Sequence, residues 1–218
     1  MLEAVNLGCA RGERRLFSNL NFTVTPGTLL QLVGPNGSGK TSLLRILCGL
    51  LAPEEGEIRW RGENIRSLGE EYFSDLTYIG HRNGLKEELS SLENLTISAG
   101  LAGRGASPND ARKVLEKMGL EGIENLPARL LSEGQRRRSA LARLLSWRTS
   151  LWLLDEVLTS LDEAAVVLMK SLIEDHLSSG GMAIVATHQE LNLSSGKFER
   201  LELATGIPGG AAPLGWAS

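Results

Sequence analysis

The sequence predicts an α/β domain of the P-loop kind, with an antiparallel β region at its amino end and a helical subdomain inserted at about residues 90–135. Three observations carry that prediction. Gly34-Pro35-Asn36-Gly37-Ser38-Gly39-Lys40-Thr41 fits the phosphate-binding pattern G-x-x-x-x-G-K-[ST], between an apolar run, Leu29 to Val33, and a helix-like run, Ser42 to Leu47. A second apolar run, Leu151-Trp152-Leu153-Leu154, ends in Asp155-Glu156, and ligands of open α/β sheets collect at the carboxyl ends of strands. Between these two, the pattern becomes helical from Ser90 to Gln135.

The chain has 218 residues, enough for one such domain with an insertion, and its 42% hydrophobic content suffices for a core. A net charge of −3 gives no reason to expect a nucleic-acid partner. No apolar run approaches the roughly 18 residues of a membrane span, and the amino terminus lacks a signal-peptide core, so a cytosolic protein is expected. Cys9 and Cys48 form no metal-binding spacing, which argues for a reducing compartment and against a bound metal cluster or covalent haem.

Taken in order, Leu2 to Leu7 and Asn19 to Val24 read as strands joined by a polar loop, Ala10 to Arg15, and followed by a Pro26-Gly27 turn. The phosphate-loop strand and its helix follow, with Gly49 as C-cap, and Pro53-Glu54-Glu55-Gly56 turns the chain into a short strand, Glu57 to Trp60. Another strand, Leu76 to Ile79, precedes the helical subdomain. There Ser90-Ser91-Leu92-Glu93 has capping-box form, and Ser107-Pro108 supplies an N-cap with Pro at N1. Ala111, Val114, Leu115 and Met118 keep helical spacing until Gly119. A helix through Leu145, the strand Leu151 to Leu154, a helix from about Glu163 to Leu177 and a strand Met182 to Thr187 restore the α/β alternation. Thr205 to Ser218, rich in Gly, Pro and Ala, is expected to be a disordered tail outside a single domain of residues 1–204.

The chemistry follows from these positions. Gly34, Pro35, Asn36, Gly37, Ser38 and Gly39 let successive N–H groups face phosphate oxygens, and the helix that continues through Ser42 adds its positive end. Lys40 reaches the β- and γ-phosphates, and the Thr41 hydroxyl suits Mg²⁺. The bland reading is a Gly-rich strand-to-helix turn, for which Lys and Thr in register are unnecessary. Asp155 is placed to hold Mg²⁺, directly or through water, and Glu156 to polarise the attacking water. A solvated acidic pair at a helix start is the competing reading for both. His176 lies on a helical stripe with Met169, Leu172 and Ile173 and reads as structural.

Leu131-Ser132-Glu133-Gly134-Gln135, in order with the P-loop and the acids, resembles the LSGGQ signature of the ABC ATPases. Ser132-x-x-Gln135 is also a capping box opening a helix, whose free N–H groups suit a γ-phosphate. The resemblance implies that ATP is sandwiched between two head-to-tail copies, so that Ser132, Gly134 and Gln135 act on nucleotide held by the other protomer. It makes Ser160-Leu161-Asp162 similar to the loop that couples the two sites, although Asp162 also suits a plain N-cap, and makes His188 the histidine that contacts the γ-phosphate. Arg136, Arg137 and Arg138 either fan over the exposed side of their helix or add positive potential to the site.

The chain also departs from the family. His81 stands where a glutamine is usual, Arg11 near the usual adenine-stacking aromatic, and Val157 where proline follows the acids. His81 can contact Mg²⁺ through water, Arg11 can stack by its planar face, and Val157 is expected to loosen the backbone beyond the acids.

Cys9-Ala10-Arg11, the stretch from Gly80 to Lys86 and Thr187 to Asn192 are similar to strings in the ATPases of cytochrome c maturation haem exporters, the CcmA group, with Arg82 where Gln is more frequent. That resemblance spans about residues 2–203. It implies ATP and Mg²⁺ as ligands, membrane subunits CcmB, CcmC and CcmD, a link to the haem chaperone CcmE, and a peripheral place on the cytoplasmic face of the inner membrane. An ABC ATPase for another substrate and an ATP-dependent regulatory module are the competing functional readings. A small-molecule kinase would leave Leu131 to Gln135 without a task.

Overall fold

A computed structural model describes residues 1–105, 107–189, 191, 193–194 and 196–204; the expected tail, residues 205–218, lies outside them. Two sheets form the framework. β1 (Leu2–Arg11), β2 (Arg14–Val24), β4 (Glu55–Trp60) and β5 (Glu63–Asn64) make an antiparallel sheet in the order β2-β1-β4-β5. β6 (Leu76–Ile79), β7 (Leu151–Asp155), β8 (Met182–Ala186), β3 (Thr28–Val33) and β9 (Lys197–Glu202) make a parallel sheet in the order β6-β7-β8-β3-β9.

The central strands β7, β8 and β3 bury both faces, and their period-two side chains separate two cores. Leu30, Leu32, Leu151, Leu153, Met182 and Ile184 face a core shared with the antiparallel sheet and α1 (Lys40–Leu47). Leu29, Trp152, Leu154, Ala183 and Val185 face the other core, with Met169, Ile173 and Leu177 of α8 (Glu163–Ser178). Each fully buried Leu or Ile of these layers contributes about 1.5–3 kcal/mol of transfer free energy.

The helical region consists of α4 (Ser91–Leu101), α5 (Pro108–Lys117) and α6 (Glu133–Leu141), followed by the short α7 (Arg143–Ser146). Its apolar residues Leu95, Leu115, Met118 and Leu144 belong to the same core as Trp152 and Ile173. The insertion therefore packs on one face of the parallel sheet and has no separate interior. The expected caps form: the Ser90 and Ser132 hydroxyls accept from the N–H groups of Glu93 and Gln135, and the Ser107 hydroxyl accepts from Asp110.

Several expectations need correction. The polar loop at 10–15 shortens to Gly12-Glu13, because Ala10 pairs with Arg15 and Arg11 with Arg14 across the β1–β2 hairpin. An exposed hairpin end needs only backbone pairing, so its polar side chains concealed it. The helix expected through Leu145 breaks at Ala142, between α6 and α7. Two short helices, α2 (Ile65–Leu68) and α3 (Glu70–Ser74), and the strands β5 and β9 had no sequence signal. β9 alternates exposed with half-buried residues on the sheet edge and pairs with β3 through its backbone, so no apolar run marks it.

His176 is structural, as its stripe indicates. Its ring stacks on Trp152 at 3.9 Å and its Nε2 lies 3.1 Å from the Met182 carbonyl. Burial pushes its pKa below the ordinary value, with the Met182 carbonyl acting weakly in the other direction. The unfolded chain therefore takes up a proton first, and stability falls as pH drops below about 6.5 toward the lower folded-state pKa. His176→Gln is expected to flatten that acid limb; urea denaturation of both proteins between pH 5 and 8 checks it.

Candidate active site

The order β7-β8-β3 sets three loop-bearing strand ends side by side, and the candidate residues sit on those ends. The loop after β3 leads into α1, whose N-cap is Gly39 with φ +104 and no capping side chain, and whose first turn carries no acid. Its amino-terminal N–H groups and dipole are thus available to an anion. At Gly34 (φ +142) a Cβ would collide with the Leu203 carbonyl and the Ser38 hydroxyl, so a side chain there would displace the loop. The Lys40 ammonium, nearly buried, donates to the carbonyls of Gly34 at 2.6 Å and Pro35 at 3.2 Å. That tether leaves one of its three protons for a phosphate oxygen. The buried Ser38 hydroxyl has no protein partner.

The acid side approaches the same loop. The Thr41 hydroxyl donates to Asp155 Oδ1 at 3.2 Å, while Asp155, 1% exposed, leaves Oδ2 without a partner in the protein. A carboxylate oxygen buried without a donor is costly unless a cation meets it. A hydroxyl and a carboxylate, completed by waters and substrate phosphates, suit Mg²⁺. No group of three or more His, Cys, Asp or Glu among the described residues is arranged for a metal. Glu156 adopts φ +51, an unfavourable backbone for a side chain other than Gly or Asn. His188 reaches across: its Nε2 lies 3.2 Å from Asn36 Oδ1 and 3.6 Å from Glu156 Oε1. Phosphate loop, acids and histidine are thereby joined in one constellation.

Of the other expected residues His81 borders this constellation, while the rest lie on the signature stretch, at the start of α8 and on the β1–β2 hairpin. Ser132 and Gln135 bond to each other in the capping box that opens α6. The neighbouring Glu133 accepts from the Ser160 hydroxyl at 2.7 Å, and a Cβ on Gly134 would stand 3.1 Å from the Ser160 carbonyl, so the signature stretch and the loop before α8 are in contact. Asp162 caps α8 by accepting from the Ala165 N–H at 2.8 Å. His81 is exposed, and its side chain lines a cleft with Glu133, Glu156 and Thr159. Arg11 ends β1 on the exposed hairpin; across the pair, the guanidinium of Arg14 comes to 3.9 Å from the Cβ position of Gly37, an approach to the loop that sequence reasoning missed. Of the Thr187 to Asn192 string, Glu190 and Asn192 lie outside the described residues.

Val157 is fully buried in the helical-side core and its carbonyl accepts from Arg137 Nε at 3.3 Å. One expectation fails here: the three arginines do not share an exposed face, since Arg137 is 3% exposed. Its guanidinium donates to the carbonyls of Glu156 (2.8 Å), Asp155 (3.2 Å) and Gly80 (3.0 Å), and to Asn83 Oδ1 (3.1 Å).

Comparison with known proteins gives the family and the fold. The family described as "ABC transporter" matches residues 17–159. The "Cytochrome c biogenesis ATP-binding export protein CcmA" of Nitrosospira multiformis is 54% identical over 202 residues, 93% of this chain and 98% of that protein. Its namesake from Nitrosomonas europaea is 56% identical over 204 residues, covering 94% and 96%. Among solved structures, an ATP-binding cassette seen as a dimer in a post-hydrolysis state with ADP and phosphate superposes with a TM-score of 0.82 at 25% identity, covering 94% of this chain and 96% of that one. An ATP-binding subunit of an ABC transporter, at 22% identity, shows the same fold with a TM-score of 0.83 over 94% and 88%.

Proposed function

This chain belongs to the ABC transporter family, in the group of ATP-binding export proteins of cytochrome c biogenesis, and we propose that it powers a haem-handling membrane complex by hydrolysing ATP on residues 34–42, Asp155, Glu156 and His188. The observation that carries the residue assignment is the convergence of Asn36, Glu156 and His188, with Thr41 on Asp155 beside them.

ATP binds through the N–H groups of the loop, the Lys40 ammonium and the start of α1. Thr41 and Asp155 would hold Mg²⁺, which when bound would neutralise charge on the phosphate oxygens. Glu156 accepts a proton from the attacking water, and His188, placed between Asn36 and Glu156, contacts the γ-phosphate and stabilises its developing charge. Positioning and charge stabilisation supply most of the acceleration in such phosphoryl transfers. Ser132, Gly134 and Gln135, on an exposed helix start, complete the site of a second copy in a head-to-tail dimer, and Asp162 holds the adjoining loop. His81 faces the Glu156 side of the cleft, and Arg11 with Arg14 forms the base-side hairpin. A dimer is supported by the dimeric form of the structural relative.

Among the described residues no helix is long and apolar enough to cross a membrane, so membrane attachment is assigned to partners. We infer CcmB, CcmC and CcmD as those partners, the cytoplasmic face of the inner membrane as the place, and haem export or release of haem-loaded CcmE as the coupled event; the relatives' names support a task in cytochrome c biogenesis export. Affinity purification of the tagged full-length chain from solubilised membranes is expected to recover CcmB with it. Copurification of the membrane subunits of an unrelated importer would redirect the assignment to another substrate.

A further inference from the structure

The signature helix α6 holds a charge where the fold needs none. Arg137 projects into the space between the ends of β6 and β7 and is 3% exposed. Among the described residues no carboxylate is bonded to it. Its Nε donates to the Val157 carbonyl, its Nη2 to those of Asp155 and Glu156, and its Nη1 to those of Gly80 and His81 and to Asn83 Oδ1. Burial lowers its pKa, opposed by the nearby charges of Asp155 and Glu156. An apolar side chain would fill that space without a buried cation, so packing does not account for the guanidinium. What an apolar side chain lacks is a rigid fork with five donors, able to bond two loops at once.

Those loops carry the groups nearest the reaction. On one side the Glu156 peptide, held at φ +51, donates to the Ala186 carbonyl at 2.9 Å and accepts from Arg137 at 2.8 Å. That double tether fixes where the Glu156 carboxylate leaves the backbone. On the other side the Gly80–Asn83 loop is held by Arg137 and, through the Asn83 carbonyl, by Arg143 Nη2 at 2.9 Å. Both tethers originate four to ten residues beyond Glu133, on the stretch that begins with the signature.

We propose that Arg137 is the positioning residue that ties the signature helix to Glu156 and to the Gly80–Asn83 loop, so that it governs ATP turnover while leaving ATP affinity to the P-loop. A movement of α6 on docking against a second copy is then delivered to Glu156 of the same chain through one rigid side chain. The proposal rests on Glu156 being the base.

The test compares the full-length parent chain with Arg137→Gln, Arg137→Lys, Asn83→Ala and Glu156→Gln, measuring single-turnover ATP hydrolysis and the affinity for ATP separately. Misplacing a catalytic group by about 1 Å costs on the order of 100-fold in rate. Arg137→Gln is therefore expected to lose about that much turnover with ATP affinity unchanged. Arg137→Lys should recover only part, since an ammonium cannot fork to both loops, and Asn83→Ala should lose turnover while keeping affinity. Folding is monitored by circular dichroism. A folded Arg137→Gln chain with parental turnover, or one losing affinity and turnover in equal measure, would overturn the proposal. If that variant does not fold, parental turnover in both Arg137→Lys and Asn83→Ala overturns it instead. Glu156→Gln separates the premise: parental turnover in that variant removes the base assignment, and the proposal with it, whatever Arg137→Gln does.

Discussion

Glu156→Gln is expected to lower steady-state ATP turnover by about 10²–10⁴-fold, the usual contribution of a positioned general base, while ATP still binds and holds two copies together. The amide keeps the size and the left-handed backbone of Glu156, and it can still meet His188 Nε2, now 3.6 Å from the carboxylate. It cannot accept a proton from water. None of the contacts that hold Lys40, Thr41 or Asp155 involves the Glu156 side chain, so the nucleotide side of the site is untouched. Gel filtration with ATP should therefore show more dimer for the variant than for the parent, whose dimer is consumed by hydrolysis. A variant that hydrolyses ATP at the parental rate would sink the assignment of the base.

Lys40→Ala is expected to weaken ATP binding by about 10- to 100-fold, because one or more hydrogen bonds from a cation to phosphate are worth about 1.5–3 kcal/mol each. Its two carbonyl contacts within the loop are lost as well, so the loop itself loses a tether. The chain should still fold, since Lys40 belongs to neither hydrophobic core. Titration with a fluorescent ATP analogue reads the effect; affinity equal to that of the parent would remove Lys40 from the phosphate site.

The two variants differ in a diagnostic way: one separates binding from turnover, the other lowers both. That contrast follows from where the residues sit. Lys40 begins α1 on the loop after β3, whereas Glu156 lies beyond β7, two strands away across β8.

Much of this arrangement was legible before any coordinates. The loop from Gly34 to Thr41 is local: glycine spacing, a strand before it and a helix after it fix a phosphate cradle within a dozen residues. The capping boxes at Ser90 and Ser132 are equally local, because a cap is a contact over three residues. Apolar runs at 29–33, 151–154 and 182–186 mark the central strands because strands buried on both faces must be apolar throughout. β9 and the hairpin end at 10–15 escaped for the opposite reason: at an edge, backbone pairing suffices and the side chains stay polar.

The sequence by itself determined which chemical groups this protein carries, an ammonium, a hydroxyl, two acids and a histidine at strand ends, because each is announced by its own neighbours. Only the tertiary structure decided how they meet. The order β7-β8-β3 sets His188 between Asn36 and Glu156, although 152 residues separate His188 from Asn36. It also turned the middle member of an arginine run inward, where Arg137 bonds carbonyls 18 to 57 residues away. Carbonyl acceptors belong to every residue alike and leave no mark in a sequence. A side chain that works by grasping backbone is therefore visible only once the chain has folded around it.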